Sequence, residues 1–172
     1  VVNITRTYVT TDSTVGEVNA WYASPTGAAS SEDVDAANLN IAGTTFGVPD
    51  CITFGPGATG GIAAIETSVH VAGSVSVRAR AGMTSAALQA AVKAAIVSAL
   101  GDWFATVEIG GFDRVGGAGV IYTADLQSIA RGAYAGLYDV AVSAPVASTT
   151  AIALGHVAVL DSVAADWTVT VV

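Results

Sequence analysis

The sequence predicts an α+β fold of mixed, largely antiparallel sheets with short helices packed on one face, and three observations predict it. Residues 68–80 alternate: Val69, Val71, Val75, Val77 and Ala79 fall on one parity, Ser68, His70, Ser74, Ser76, Arg78 and Arg80 on the other. That is the period of a strand with one buried face. Past Gly82 the period lengthens, with Leu88, Val92, Ile96 and Leu100 four residues apart and Ala95, Ala99 and Trp103 beside them, which makes an apolar stripe on a helix. The other strand-like and helix-like segments are mixed without the regular rhythm of a doubly wound fold.

Taken in order, residues 2–10 and 17–23 are rich in Val, Ile, Thr, Tyr and Trp around the turn TTDSTVG, so they predict a hairpin. Ser30, followed three residues later by Asp33, approximates a capping box for a short helix over 31–41, with Val34, Ala37 and Ile41 inward. Residues 46–50 read as a turn, Cys51 to Phe54 as a strand, and GPGATGG (55–61) as a flexible exposed tip. A single long strand over 68–80 then feeds the helix, with Thr84 as N-cap and Gly101-Asp102 ending or kinking it near Trp103. Val107 and Ile109 suggest a brief extended piece, and the glycines of 110–119 a loop. Residues 120–122 read as a strand, TADLQSIAR as a helix capped by Thr123 and closed by Gly132 as a C′ glycine. Residues 137–143, 155–160 and 167–172 are the last strands, the first of them followed by the Pro-marked turn APVAS. Two small subdomains are expected, 1–65 (strand-strand-helix-strand) and 66–172 (strand-helix-strand-helix-strands).

Composition narrows the function. A chain of 172 residues buries about 70% of its unfolded surface and needs no metal or disulfide to fold. Only 12% of the residues are charged, which suits either a chain packed against neighbours or a robust domain with a small-residue bias. The net charge is −8, and the six basic residues are not clustered, which argues against nucleic acid and anionic membranes. No apolar run approaches the roughly 20 residues that span a bilayer, and the helix with Lys93 reads as covered rather than membrane-binding. The chain begins VVNITRTYV, with neither an initiating Met nor a signal-peptide layout. The expectation is that it is the processed, truncated or ordered part of a longer chain.

The candidates for chemistry are few. Cys51 lacks a Cys-His spacing signature and reads as a structural thiol. His70 and His156 read as surface or interface residues rather than metal ligands. Glu108 and Asp113 flank a Gly-rich loop where a pair of glycosidase carboxylates would converge, but Arg114 lies beside them and aromatics are scattered. GGFDRVGGAG has the glycines of a phosphate cradle without its GK[ST]. The reading is a non-enzymatic protein with no catalytic, cofactor-binding or metal-binding residue and no cofactor.

Three segments carry a resemblance. VHVAGSVSVRARAGMTSAALQAAVKAAI is an alternating strand, a Gly turn and an Ala-rich helix. VEIGGFDRVGGAGVIYTADLQSIARGAYAGLYDVAVSAP places Gly119, Val120, Thr123, Leu126, Ile129, Gly136, Leu137, Asp139, Val140 and Pro145 in a loop-strand-cap-helix-strand order. GHVAVLDSVAADWTVTVV closes with alternating strands, and ITRTYV, GEVNAWYASP and EDVDAANL precede them as strand, strand and helix. Together they resemble the C-terminal part of baseplate J-like proteins of contractile phage tails and related injection systems, without that family's N-terminal region. The resemblance implies a non-catalytic wedge component of a baseplate that passes on the contraction trigger. Its implied partners are other wedge and hub proteins, the tail sheath and tail fibres, in a sixfold homo- and hetero-oligomer. Its implied place is the virion or a phage-like particle assembled in the host cytoplasm, away from nucleic acid and membrane. The contrasting class is a carbohydrate-binding adhesin or glycan hydrolase domain of a tail or cell surface. The expected partner contacts are the loops 55–61 and 110–119 and the polar parity that carries His70, Arg78 and Arg80.

Overall fold

A computed structural model describes residues 3–12, 17–41, 61–115 and 118–172, and these form an α+β fold of mixed sheets. Strands β1 (Arg6–Asp12) and β2 (Glu17–Ser24) make the expected antiparallel hairpin, with Arg6 opposite Ala23 and Asp12 opposite Glu17. The short strand β3 (Gly27–Ala28) folds back on the end of β2, and helix α1 (Ser31–Ile41) follows. Ser30 starts that helix as the sequence suggests: its Oγ accepts the Asp33 N–H at 3.1 Å and donates to Asp33 Oδ2 at 2.9 Å. Val34 and Ala37 turn inward. The side chain of Ile41, Cys51 and the segments expected over 46–60 lie outside the described residues. Strand β4 (Ile62–Ala63) then runs parallel to β2.

The long strand expected over 68–80 is two strands, β5 (Ile65–His70) and β6 (Ala72–Val77). The buried parity runs through the break unchanged, because Val69, Val71, Val75 and Val77 are all buried. What breaks is the partner. β5 pairs in parallel with a strand at 156–161, whereas β6 pairs in parallel with one at 167–171. Asp161 lies opposite His70 and Trp167 opposite Gly73, so the partner uses six residue steps where the first chain uses three. The excess is taken up by a 3-10 turn, Ala164–Asp166. Nothing in residues 68–80 signals that mismatch, which belongs to a segment about 90 residues away in register.

Helix α2 (Ser85–Phe104) starts at Thr84, whose Oγ1 accepts the Ala87 N–H at 3.2 Å. Leu88, Val92, Ile96 and Leu100 are each at most 1% exposed. Gly101 does not end the helix. The next residue of the stripe is Phe104, which is buried, and packing it outweighs the cost of a glycine in the last turn.

The expected loop over 110–119 is largely a hairpin of β7 (Phe112–Val115) and β8 (Ala118–Tyr122). Gly119 permits it, since a Cβ there would meet the backbone oxygen of Gly110 at 2.3 Å. Helix α3 (Thr123–Gly132) corrects two expectations. Its N-cap is Tyr122, because the Thr123 hydroxyl donates to the Ala147 carbonyl at 2.6 Å. Gly132 is its last residue rather than a C′ glycine, and Ala133 follows in right-handed geometry. Then come β9 (Leu137–Ala144), β10 (Thr149–Ile152), β11 (His156–Asp161) and β12 (Trp167–Val171). β10 was hidden in the sequence because one residue, Ile152, supplies its buried anchor.

The central sheet has the order β12-β6-β9, with β6 antiparallel to β9. α2 and α3 lie over one side of it, and their apolar stripes join Val75, Val77, Val140, Trp167 and Val169 in the main core. The hairpin and α1 have a separate cluster around Ala20, Tyr22 and Val34. A third cluster, Ala23, Ala64, Ile109 and Val157, draws on both sides, and the boundary expected at 65/66 falls just inside β5.

Candidate functional site

Two places gather polar side chains, the seam between the hairpin and the end of α2, and the outer side of the central sheet. At the seam Arg6 reaches across 98 and 101 residues of sequence. Its Nη1 donates to the carbonyls of Phe104 (3.1 Å) and Val107 (3.0 Å), and its Nη2 to that of Ser24. The C-terminal end of a helix, where carbonyls lack intrahelical partners and the dipole is negative, favours a cation. Burial lowers the pKa of this guanidinium, and its Nε is buried without a partner. Arg114 lies beside it. This side chain pairs with Glu108, donates to the Ile109 carbonyl at 2.7 Å and stacks 4.3 Å from the centre of the Tyr8 ring. Arg6, Tyr8, Glu108 and Arg114 share a cavity of about 320 Å³.

Glu108 and Asp113, the two carboxylates singled out in the sequence, have different partners. Glu108 is held by Arg114, and Asp113 accepts the Tyr122 hydroxyl at 2.9 Å. That hydrogen bond, with the negative charge of Asp113, raises the Tyr122 pKa. Asp113 has φ 49, a backbone conformation that aspartate tolerates better than most residues. His156 Nδ1 lies 2.8 Å from Thr67 Oγ1, and His70 Nδ1 lies 2.9 Å from the Asp161 carbonyl, at the break between β5 and β6. The carboxylate of Asp161 is 3.9 Å from His70, an acidic partner that its sequence neighbours do not show. Among the described residues no group of three or more His, Cys, Asp or Glu has the arrangement to hold a metal ion, and no helix is long and apolar enough to cross a membrane.

The outer side of the central sheet is built differently. Its residues are the polar parity of β6 and the matching positions of its neighbours. Thr168 lies beside Ser74 and Ala141, and Thr170 beside Ser76 and Asp139. All but Ser76 are exposed. Past the end of β6 the alternation stops, since residues 78–82 are all exposed; Arg78 and Arg80 lie there, at the end of this sheet, and among the described residues neither is in an ion pair. The edges of the same sheet are less open than the alternating strands suggest. Gln89 of α2 donates to the Val169 carbonyl on β12 at 3.1 Å, and Gln127 of α3 to the Val140 carbonyl on β9 at 2.7 Å. Each edge strand therefore has a mid-strand carbonyl occupied by a glutamine from the helix above it, which opposes strand addition there. Neither glutamine stood out in the sequence, because each acts across 80 and 13 residues respectively.

Comparison with known proteins adds no relative: no family model matches the chain, and no curated protein matches it significantly.

Proposed function

We propose that this chain is a structural component of a contractile tail baseplate, a wedge protein that assembles with other baseplate proteins and transmits the contraction trigger. The observation that carries this reading is the outer side of the β12-β6-β9 sheet. Its inner side is sealed by α2 and α3, while Ser74, Thr168, Thr170, Ala141 and Ser143 leave the other side exposed and small, with Asp139 as the charge within it and Arg78 and Arg80 at its end. Surfaces that pack against proteins are depleted in charge at their centres, and small side chains let a second layer approach closely. The groups with most chemical potential, Glu108, Arg114 and Asp113, are engaged with one another's neighbours and with the seam rather than converging on a substrate. The sequence segments that resemble the C-terminal part of baseplate J-like proteins supply the kind of assembly. In this reading the partners are wedge and hub proteins, sheath and tail fibres, and the location is the virion or a phage-like particle.

The test is direct. The chain carrying an affinity tag is purified gently from cells that make it in its native setting, and the product is imaged by electron microscopy. The reading expects ring-shaped or tail-like particles with sixfold symmetry in which the tag is found. Recovery only as a free monomer, with tagless tail particles in the same lysate, overturns it.

A further inference from the structure

We propose that the outer side of the β12-β6-β9 sheet docks onto a second copy of this chain, with Arg78 and Arg80 meeting the exposed carboxylates of Glu32 and Asp35 on α1. The proposal rests on charge complementarity within one sequence. Of the six basic residues, Arg6 and Arg114 are used inward at the seam. Lys93 and Arg131 stand apart from each other on different helices. Arg78 and Arg80 are the basic pair close together in the sequence, two residues apart just past the end of β6 and so at most about 7 Å from one Cα to the other. Both are exposed, and no ion pair within 4 Å engages either among the described residues.

The acidic counterpart is chosen by position: among the described residues Asp102 and Asp139 are also exposed and without a partner, but each stands singly, and others are taken. Asp33 is taken by Ser30, Glu66 by the Ala28 N–H, Glu108 by Arg114, Asp113 by Tyr122 and Asp166 by the Val163 N–H. Glu32 and Asp35 are both exposed, have no such partner among the described residues, and lie three positions apart, on one side of α1. Their spacing along the helix is about 5–6 Å, close to that of the two arginines. Within one molecule the two pairs do not meet, so a contact between them joins different copies.

Such a contact gives a closed dimer if both arginine–carboxylate contacts form across one two-fold axis, and a ring or a filament if each copy uses its two surfaces on different neighbours. The hydroxyl-bearing Ser74, Thr168 and Thr170 next to the arginines are small enough to let a helix lie flat against the sheet. Asp139 tunes the surface, since it lies beside Ser76 and disfavours a partner whose own carboxylates arrive out of register. The glutamines on both sheet edges point the same way, because they leave the flat side rather than the edge as the open surface. The inference deepens the assembly reading and rests on it for the need for repeated copies.

The experiment uses charge exchange on the full chain. Sedimentation velocity of the wild type is expected to show reversible association at low ionic strength that is lost at high ionic strength, where exposed charges are screened. R78E/R80E and E32R/D35R are each expected to weaken association about tenfold or more, because like charges then face each other. All four positions are exposed, so the circular dichroism of both variants should match the wild type. Mixed in equal amounts, the two variants should associate again, since each supplies what the other lacks. A wild type that stays monomeric at low salt overturns this inference while leaving assembly with other proteins intact. So does a mixture that fails to associate when each variant is folded, or a pair of variants that associate as the wild type does.

Discussion

The main core and the seam are held together by opposite means. In the core, large side chains fill space: Leu88, Val92, Ile96 and Leu100 from α2 interlock with Val75, Val77, Trp167 and Val169 of the sheet. At the seam the decisive residues are those with no side chain. A Cβ on Gly155 would lie 2.4 Å from Trp21 Nε1, one on Gly61 1.8 Å from Tyr22 Cε2, and one on Gly27 2.1 Å from Glu66 Oε1. Gly155 and Gly27 let Trp21 and Glu66 close across the two sides, Gly61 lets the chain leading into β4 close on Tyr22 of the hairpin, and Arg6 ties the joint through carbonyls. The difference teaches that removing volume should damage one region and adding volume the other. It also makes the seam the place where the hairpin can loosen while the core stays intact.

The largest effect is expected in the core. Ile96 is 0% exposed in the middle of α2, so Ile96→Ala removes packed methylenes and leaves a cavity. A loss of about 3–4 kcal/mol in global stability is expected, read as a lower denaturant midpoint with an unchanged slope. A loss below about 1 kcal/mol would mean that α2 is packed more loosely than its burial implies.

Gly155→Ala reverses the logic. Gly155 has φ +74, and the added methyl meets Trp21, so the substitution costs about 2–3 kcal/mol from backbone strain and the clash combined. The cost should fall on the seam. Hydrogen exchange of β1 and β2 is expected to accelerate while that of α2 and β6 stays at wild-type protection. Uniform acceleration would show that the seam and the core unfold as one unit.

The same contrast explains what could be read from the sequence. The stripe of α2, the Thr84 and Ser30 caps, the hairpin of β1 and β2 and the alternation around Val69–Val77 are local patterns, and each is where the sequence places it. The break at Val71 was not legible, because it depends on three additional residues in the distant partner strand. Thr123 carries every local mark of a cap, yet its hydroxyl goes to Ala147 in a loop beyond β9. Gly101 and Gly132 look like terminators until the burial of Phe104 and the path after α3 are known. Glu108 and Asp113 look like a pair until Arg114 and Tyr122 take one each. Periodicity reports what lies within a few turns; long-range partners decide the rest.

Arg6→Lys probes the seam more gently. The guanidinium fork serves three carbonyls at once, whereas a compact ammonium on a thinner stem does not reproduce that spread. A loss of about 1–2 kcal/mol is expected, together with exchange confined to the hairpin and the last turn of α2. Arg6→Ala should exceed it, because the Val107 and Ser24 carbonyls lose their side-chain donor and the Phe104 carbonyl keeps only the Val107 N–H.

The smallest effect concerns ionisation on the exposed side of the β7-β8 hairpin, whose Ile121 belongs to the main core and whose Arg114 belongs to the seam. The hydrogen bond to Asp113, then its charge, raises the Tyr122 pKa in the folded protein. The protonated phenol therefore contributes stability that is fully present below the ordinary tyrosine pKa of about 10 and is lost as the pH climbs through the raised folded value. Phenolate absorbance titrations of the wild type and of Tyr122→Phe, subtracted, isolate this one group among the five tyrosines. Asp113→Asn removes the negative charge and weakens the acceptor, so the Tyr122 midpoint should move down toward that of an ordinary tyrosine. Because the Tyr122–Asp113 bond itself touches neither β1 nor β2, hydrogen exchange of those strands should be untouched by the same substitution. A midpoint that does not move would mean that the Tyr122–Asp113 bond is not formed in solution, and exchange that quickens in β1 would tie the β7-β8 hairpin to the seam through Arg114, the side chain that sits on β7 and stacks on Tyr8.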